Sequence, residues 1–185
     1  MFKITKKTGE EKVKWGWAMY DWANNVYSLV ITTAIFPLYY TQLTASGKCG
    51  EKVNGEVLFD HVEFFGTWYV NSQLYSYILG ASFLTVILLS PILSGIADFT
   101  GKKKLFMRIF TYMGAFGCLG LFFFDLEHLE WSLFPFYLAS VGFWGSVGFY
   151  NAFLPEIAPR EEHDSLSAKG FAMGYWSSII ILVIC

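Results

Sequence analysis

Charge is what this sequence has least of. Only 15% of its 185 residues are Asp, Glu, Lys or Arg, well under the roughly 25% usual in soluble domains. Thirteen basic residues against fifteen acidic ones leave a net charge of −2, so no basic surface for nucleic acid is offered. The three cysteines, Cys49, Cys118 and Cys185, are far apart, and two of them lie in apolar segments. That pattern gives neither a disulfide framework nor a CxxC metal site, and the three read as small hydrophobes. There is no phosphate-cradling glycine loop, P-loop lysine motif or nucleophile elbow, which argues against an ATP-driven pump domain within these residues. Glu161-Glu162-His163-Asp164 has metal-ligand chemistry, but four consecutive polar residues cannot all converge on one ion, and a solvated loop is expected there. No cofactor is implied.

What the chain has in excess is apolar and aromatic: 55% hydrophobic residues, with 19 Phe, 7 Trp and 11 Tyr. A chain this size cannot hide so much aromatic surface in one soluble core, so a lipid bilayer is its expected solvent. Crossing a bilayer takes about 20 mainly apolar residues per helix. Five stretches qualify: 22–43, 74–97, 105–124, 131–154 and 170–185. The fifth is still strongly apolar at Ile184, with no polar cap or basic anchor after it, and is expected to be a span cut short. Residues 1–21 then form a cytoplasmic N-terminus and 22–185 a partial transmembrane domain, an all-α, polytopic helical bundle. A cleaved signal peptide is disfavoured, because Asp21, Asn24 and Asn25 interrupt the first apolar stretch and no small-residue cleavage site follows closely.

Basic residues orient such a bundle. Lys3, Lys6, Lys7, Lys12 and Lys14 precede the first span, Lys102, Lys103, Lys104 and Arg108 mark the junction of the second and third, and Arg160 and Lys169 precede the fifth. Only Lys48 and Lys52 fall on the other side, which places the N-terminus in the cytoplasm. The connection from Thr44 to Gln73 mixes Gly, Asn, charges and aromatics, and is read either as a folded external hairpin or as a mobile link.

The most specific segment is Ser94-Gly95-Ile96-Ala97-Asp98-Phe99-Thr100-Gly101-Lys102-Lys103-Lys104. Gly101 allows a tight turn, Asp98 ends one helix as an anion able to cap or pair with another element, and the lysines hold the loop at the cytoplasmic face. The spacing resembles the signature loop of the major facilitator superfamily, G-x-L-A-D-x-x-G-R-K, with Ser94 in place of the first glycine and Phe99 in place of a frequent basic residue. A plain loop fixed by its charges is the alternative.

Two further segments, Trp17-Ala18-Met19-Tyr20-Asp21-Trp22-Ala23-Asn24-Asn25-Val26-Tyr27 and Phe149-Tyr150-Asn151-Ala152-Phe153-Leu154-Pro155-Glu156-Ile157-Ala158, resemble the branch of that superfamily related to the vacuolar amino-acid effluxers of autophagy and their bacterial relatives. The resemblance covers nearly the whole chain. It implies the N-terminal part of a major facilitator fold of about twelve spans, built from two halves with inverted repeats. It also implies a small-molecule substrate, further C-terminal spans as partners, and a bacterial cell membrane as location.

On the first span, Asp21, Asn25, Ser28 and Thr32 recur at spacings of four, three and four, with Asn24 beside them, and so share one helical face. Polar groups facing lipid are costly, so this stripe, with Asn151, is expected to line a hydrated cavity. The alternative is that Asp21 is an interfacial helix-end charge and the amides bond neighbouring helices. Glu156 sits near the cytoplasmic edge, where it either joins the gate loop of Ser94, Asp98, Gly101, Lys102, Lys103 and Lys104 or is an exposed loop charge. Gly114, Gly117 and Gly120, and Gly142, Gly145 and Gly148, give smooth faces where helices pack closely.

These features point to a secondary active transporter of small solutes working by alternating access, with amino-acid efflux implied by the resemblance alone. A membrane enzyme is the runner-up from another class, but the spans hold no His-rich or paired-carboxylate constellation. A nonfunctional or interaction-only membrane fragment is the third reading.

Overall fold

The computed structural model describes residues 9–45, 51–53, 56–58 and 60–184. It is helical almost throughout, and the chain divides into two compact units: Met1–Thr33 with Tyr150–Cys185, and Ala34–Phe149. Among the described residues, four helical stretches are long and apolar enough to cross a membrane: Asn71–Thr100, Lys103–Phe123, Leu129–Ile157 and Arg160–Ile184. These overlap the second to fifth expected spans, 74–97, 105–124, 131–154 and 170–185. The expected first span, 22–43, is helical too, but it is shared by three elements: α1 (Gly9–Val26), a π-helical segment Tyr27–Ile35, and α2 (Phe36–Thr44). The sequence supplies a reason. Pro37 has no N–H for the carbonyl four residues back, and the β-branched run Val30-Ile31-Thr32-Thr33 crowds the turns before it, so the ladder widens to i→i+5. Thr33 follows the wider spacing, donating its hydroxyl to the Ser28 carbonyl five residues back at 2.8 Å.

In the first unit, α1 packs along α7 (His163–Ile184). The two helices run parallel: Lys14 pairs with Glu162, Trp17 and Asp21 lie at Gly170, and Asn25 lies at Gly174, all in ascending order. A short helix, α6 (Leu154–Ile157), and a 3-10 turn, Arg160–Glu162, lead into α7. The run from Glu161 to Asp164 is therefore not a loop, as expected, but the start of a helix, and α7 begins at His163 rather than at Gly170. His163 fixes that corner through a hydrogen bond of 2.9 Å between its Nε2 and the Ala158 carbonyl.

In the second unit, the connection after α2 carries two antiparallel hairpins, β1 (Glu51–Val53) with β2 (Glu56–Leu58) and β3 (His61–Phe64) with β4 (Thr67–Val70). Of the two readings of this connection, the folded one holds. Next come α3 (Asn71–Thr100), α4 (Lys103–Gly120) and α5 (Leu129–Ala152). At 30 residues α3 is about 45 Å long, more than the hydrocarbon thickness requires. Most of its apolar residues, Leu84, Ile87, Leu88 and Ile92 among them, are exposed, as suits a surface whose solvent is lipid.

Glycines decide how α4 and α5 meet. A Cβ on Gly142 would stand 2.5 Å from the Gly114 Cα, and one on Gly117 would stand 2.8 Å from the Ala139 Cα, so these backbones are in direct contact. Gly148 departs from the expected pattern: it is exposed and nothing lies within 4 Å of where its Cβ would be. Phe36, Tyr40, Tyr75, Phe124 and Phe136 form an aromatic cluster, with Phe36 and Phe136 stacked at 4.5 Å. A second cluster gathers Ala97, Phe110, Val141 and Phe149.

Candidate functional site

Two places concentrate polar chemistry, one in each unit. In the second unit, α3 ends in a turn whose backbone bonds are those of a Schellman motif. Gly101 has φ +65°, its N–H donates to the Asp98 carbonyl at 3.3 Å, and the Lys102 N–H donates to the Ala97 carbonyl at 3.1 Å. Asp98 stands in the last turn of α3, where the helix dipole disfavours an anion. Lys103, at the start of α4, answers that charge with its Nζ 2.8 Å from Asp98 Oδ1. The pair is formed across a turn of only two residues, so it ties the end of one long helix to the beginning of the next. Ser94 is half-buried one turn earlier, and Lys102 and Lys104 are exposed. The structure thus brings Asp98, Gly101 and Lys103 together. Glu156 belongs to the first unit, where with Glu10 and Lys14 it lines an open cleft of about 720 Å³.

The second place is the seam between α1 and α7. Gly170, Gly174 and Ser178 recur every four residues and are all buried, giving α7 a face of small residues. Against Gly170 come the Trp17 ring, the Tyr150 hydroxyl and Asp21 Oδ2, at 3.0, 3.1 and 3.4 Å from the position a Cβ would take. Against Gly174 comes the Asn25 amide, its Nδ2 only 2.5 Å from the corresponding position. Trp17 stacks on Tyr150 and donates from Nε1 to the Tyr150 carbonyl at 3.1 Å; Tyr20 stacks on Tyr150 as well. The Tyr150 hydroxyl is buried and has no hydrogen-bond partner among the described residues. A carboxylate and an unsatisfied hydroxyl on one seam can together accept from a cationic N–H or pass a proton.

Of the expected cavity residues, Asp21 and Asn25 meet α7, while Asn24, Ser28 and Thr32 are half-buried and Asn151 is exposed. Val30, in the same span, is fully enclosed by protein. Trp17, Tyr150, Gly170 and Gly174 were not singled out from the sequence as site residues. The i, i+4 glycine pair was the available signal for two of them. For Trp17 and Tyr150 the signal was their place in the two segments that carry the family resemblance.

Comparison with known proteins agrees with this architecture. The family model described as "Vacuole effluxer Atg22 like" matches residues 9–185. A curated protein of Bacillus subtilis (strain 168), named "Uncharacterized MFS-type transporter YxiO", is 34% identical over 169 residues, which is 91% of this chain and 35% of that protein. The chain therefore spans about a third of the length of this relative. No solved structure matches.

Proposed function

This chain belongs to the Atg22-like vacuole effluxer family of the major facilitator superfamily, and on that footing we propose that it is the first part of a secondary active transporter moving a small solute by alternating access. The observation that carries the reading is the α1–α7 seam, where Asp21 and the buried Tyr150 hydroxyl meet at Gly170 in an otherwise apolar, multi-pass membrane chain. Polar groups held between helices at the edge of a membrane domain are costly, and a functional role is the default reading of them. Parallel α1 and α7 fit a bundle in which both enter the membrane from the cytoplasmic side, as the lysine distribution requires. The Asp98–Lys103 pair serves as the conformational latch, since one ion pair open to water on its Asp98 side can form and break at little cost. Amino acids are the proposed cargo and efflux the direction, by analogy with the family. A protein of the relatives' full length, reconstituted in vesicles with a panel of labelled amino acids, tests this. Movement of at least one, abolished by Asp21→Asn, is expected. If none is carried, the cargo is another solute; unchanged transport in the Asp21→Asn protein would reduce the seam to helix packing.

A further inference from the structure

The second unit holds a cavity of about 420 Å³ that the transport reading does not use, lined among others by Phe64, Phe65, Glu130, Trp131, Phe134 and Tyr137. Its size suits a small ligand or a lipid headgroup with the start of its chains. Aromatic rings make most of the wall, and among the described residues Glu130 is the one carboxylate in it. The structure spends strain to build this wall. The β3–β4 hairpin turns through Phe65 and Gly66, both with positive φ, +48° and +76°. The first of these positions favours Asn, Asp or Gly, and a bulky Phe in that conformation is an outlier that marks a constraint rather than a convenience. Glu130 holds the turn, its Oε1 accepting the Phe65 N–H at 3.3 Å, and Phe64 and Phe65 meet edge to face at 4.7 Å. Glu130 makes no ion pair among the described residues.

Position supplies the rest. The cavity lies by Ile78 near the start of α3 and by the first turns of α5, at the opposite end of α3 from the Gly101 turn. Phe65 and Trp131 at its rim are 77% and 78% exposed, and the amphipathic indole of Trp131 is a ring of the kind that settles at the level of lipid headgroups. A carboxylate framed by aromatic faces attracts an ammonium group through its charge and through the rings, and it repels an anion. Among the described residues that line the cavity there is no Lys or Arg, so a headgroup of net negative charge meets no compensating cation there.

We infer that this cavity is a site for the ammonium headgroup of a membrane lipid, with Glu130 accepting from the ammonium, Phe65 and Trp131 flanking it, and the acyl chains running down the exposed side of α5 past Phe134. Phosphatidylethanolamine is the probe. The full chain, purified in mild detergent, is given an equimolar mixture of phosphatidylethanolamine and phosphatidylglycerol with identical acyl chains, and the lipids retained are weighed by native mass spectrometry. Wild-type protein should keep phosphatidylethanolamine in preference by about tenfold, the worth of one charge-assisted hydrogen bond. Glu130→Gln should bring the ratio close to one, and Glu130→Lys should invert it while helicity, read by circular dichroism, stays unchanged. Phe65→Ala should lower retention of the ethanolamine lipid with little effect on the other. Equal retention of both lipids by the wild type would overturn the inference. So would equal displacement by water-soluble phosphoethanolamine, which would make the ligand a soluble amine rather than a lipid.

Discussion

Trp17 and Tyr150 lie 133 residues apart in the chain and stack with their ring centroids 4.2 Å apart and their planes 12° from parallel, the indole N–H donating to the Tyr150 carbonyl. The stack fixes the tyrosine ring and presses its hydroxyl toward Gly170, where it is buried without a partner among the described residues. An unsatisfied buried hydroxyl costs about 1–3 kcal/mol. Tyr150→Phe should therefore raise the thermal midpoint of the detergent-solubilised protein while lowering transport in the full-length transporter. A gain in stability with unchanged transport would make the hydroxyl a packing residue only.

The contact of Gly142 with Gly114 is backbone against backbone, so it cannot yield to an added methyl group. Gly142→Ala should cost about 3 kcal/mol, at the upper end of ordinary overpacking. Gly148→Ala, with open space around it, should be neutral or stabilise by up to about 1 kcal/mol, the usual gain for Ala over Gly in a helix. Urea or thermal unfolding of the two variants side by side tests the α4–α5 contact, and equal stabilities would rule it out.

Gly101 has φ +65°, a conformation that L side chains adopt at a cost. Gly101→Ala should destabilise by about 1–2 kcal/mol, and Gly101→Asn by less, because Asn tolerates the left-handed region. Equal effects of the two substitutions in a melting experiment would contradict the turn described here.

Because Asp98 is exposed and Lys103 only half-buried, removing either should change stability by under about 1 kcal/mol. Their role as a latch predicts more. Asp98→Asn and Lys103→Gln should each slow transport by the full-length protein, and the double variant should be no slower than the worse single one. Wild-type rates in both singles leave the loop as a topology signal.

Orientation is checked by labelling in a cysteine-free background. Lys103→Cys should react with an impermeant thiol reagent only from the cytoplasmic side, and Glu127→Cys only from outside. The reverse pattern would invert the proposed topology. The native Cys49, expected outside, lies beyond the described residues.

The helices themselves were legible in the sequence. Apolar length marks 74–97, 105–124 and 131–154 because a helix crossing lipid must satisfy its backbone internally and cover itself with apolar side chains, a demand written residue by residue. The Gly101 turn was legible for a similar reason, since a tight left-handed turn admits few residues. The ends of helices were less so. Pattern placed the start of the fifth span at Gly170, where apolarity begins, whereas the hydrogen-bonded helix begins at His163, because backbone geometry continues through polar residues that water can cover. The π-helical widening after Tyr27 also escaped, because an argument from spacing assumes the α-helical period that it set out to use.

By itself the sequence determined that this protein's solvent is lipid and which segments are apolar helices; composition and local spacing carry both, since each depends on residues near one another in the chain, and the family resemblance rests on short motifs of the same kind. Only the tertiary structure decided that Asp21 meets Tyr150 at Gly170, that Asn25 fills the groove at Gly174, and that Glu130 holds the strained Phe65 beside an aromatic cavity. Those pairings join residues from 65 to about 150 positions apart; the first two are set by how closely α1 can approach the glycine face of α7 and the third by a hairpin turn folded onto the start of α5, neither of which a single segment encodes.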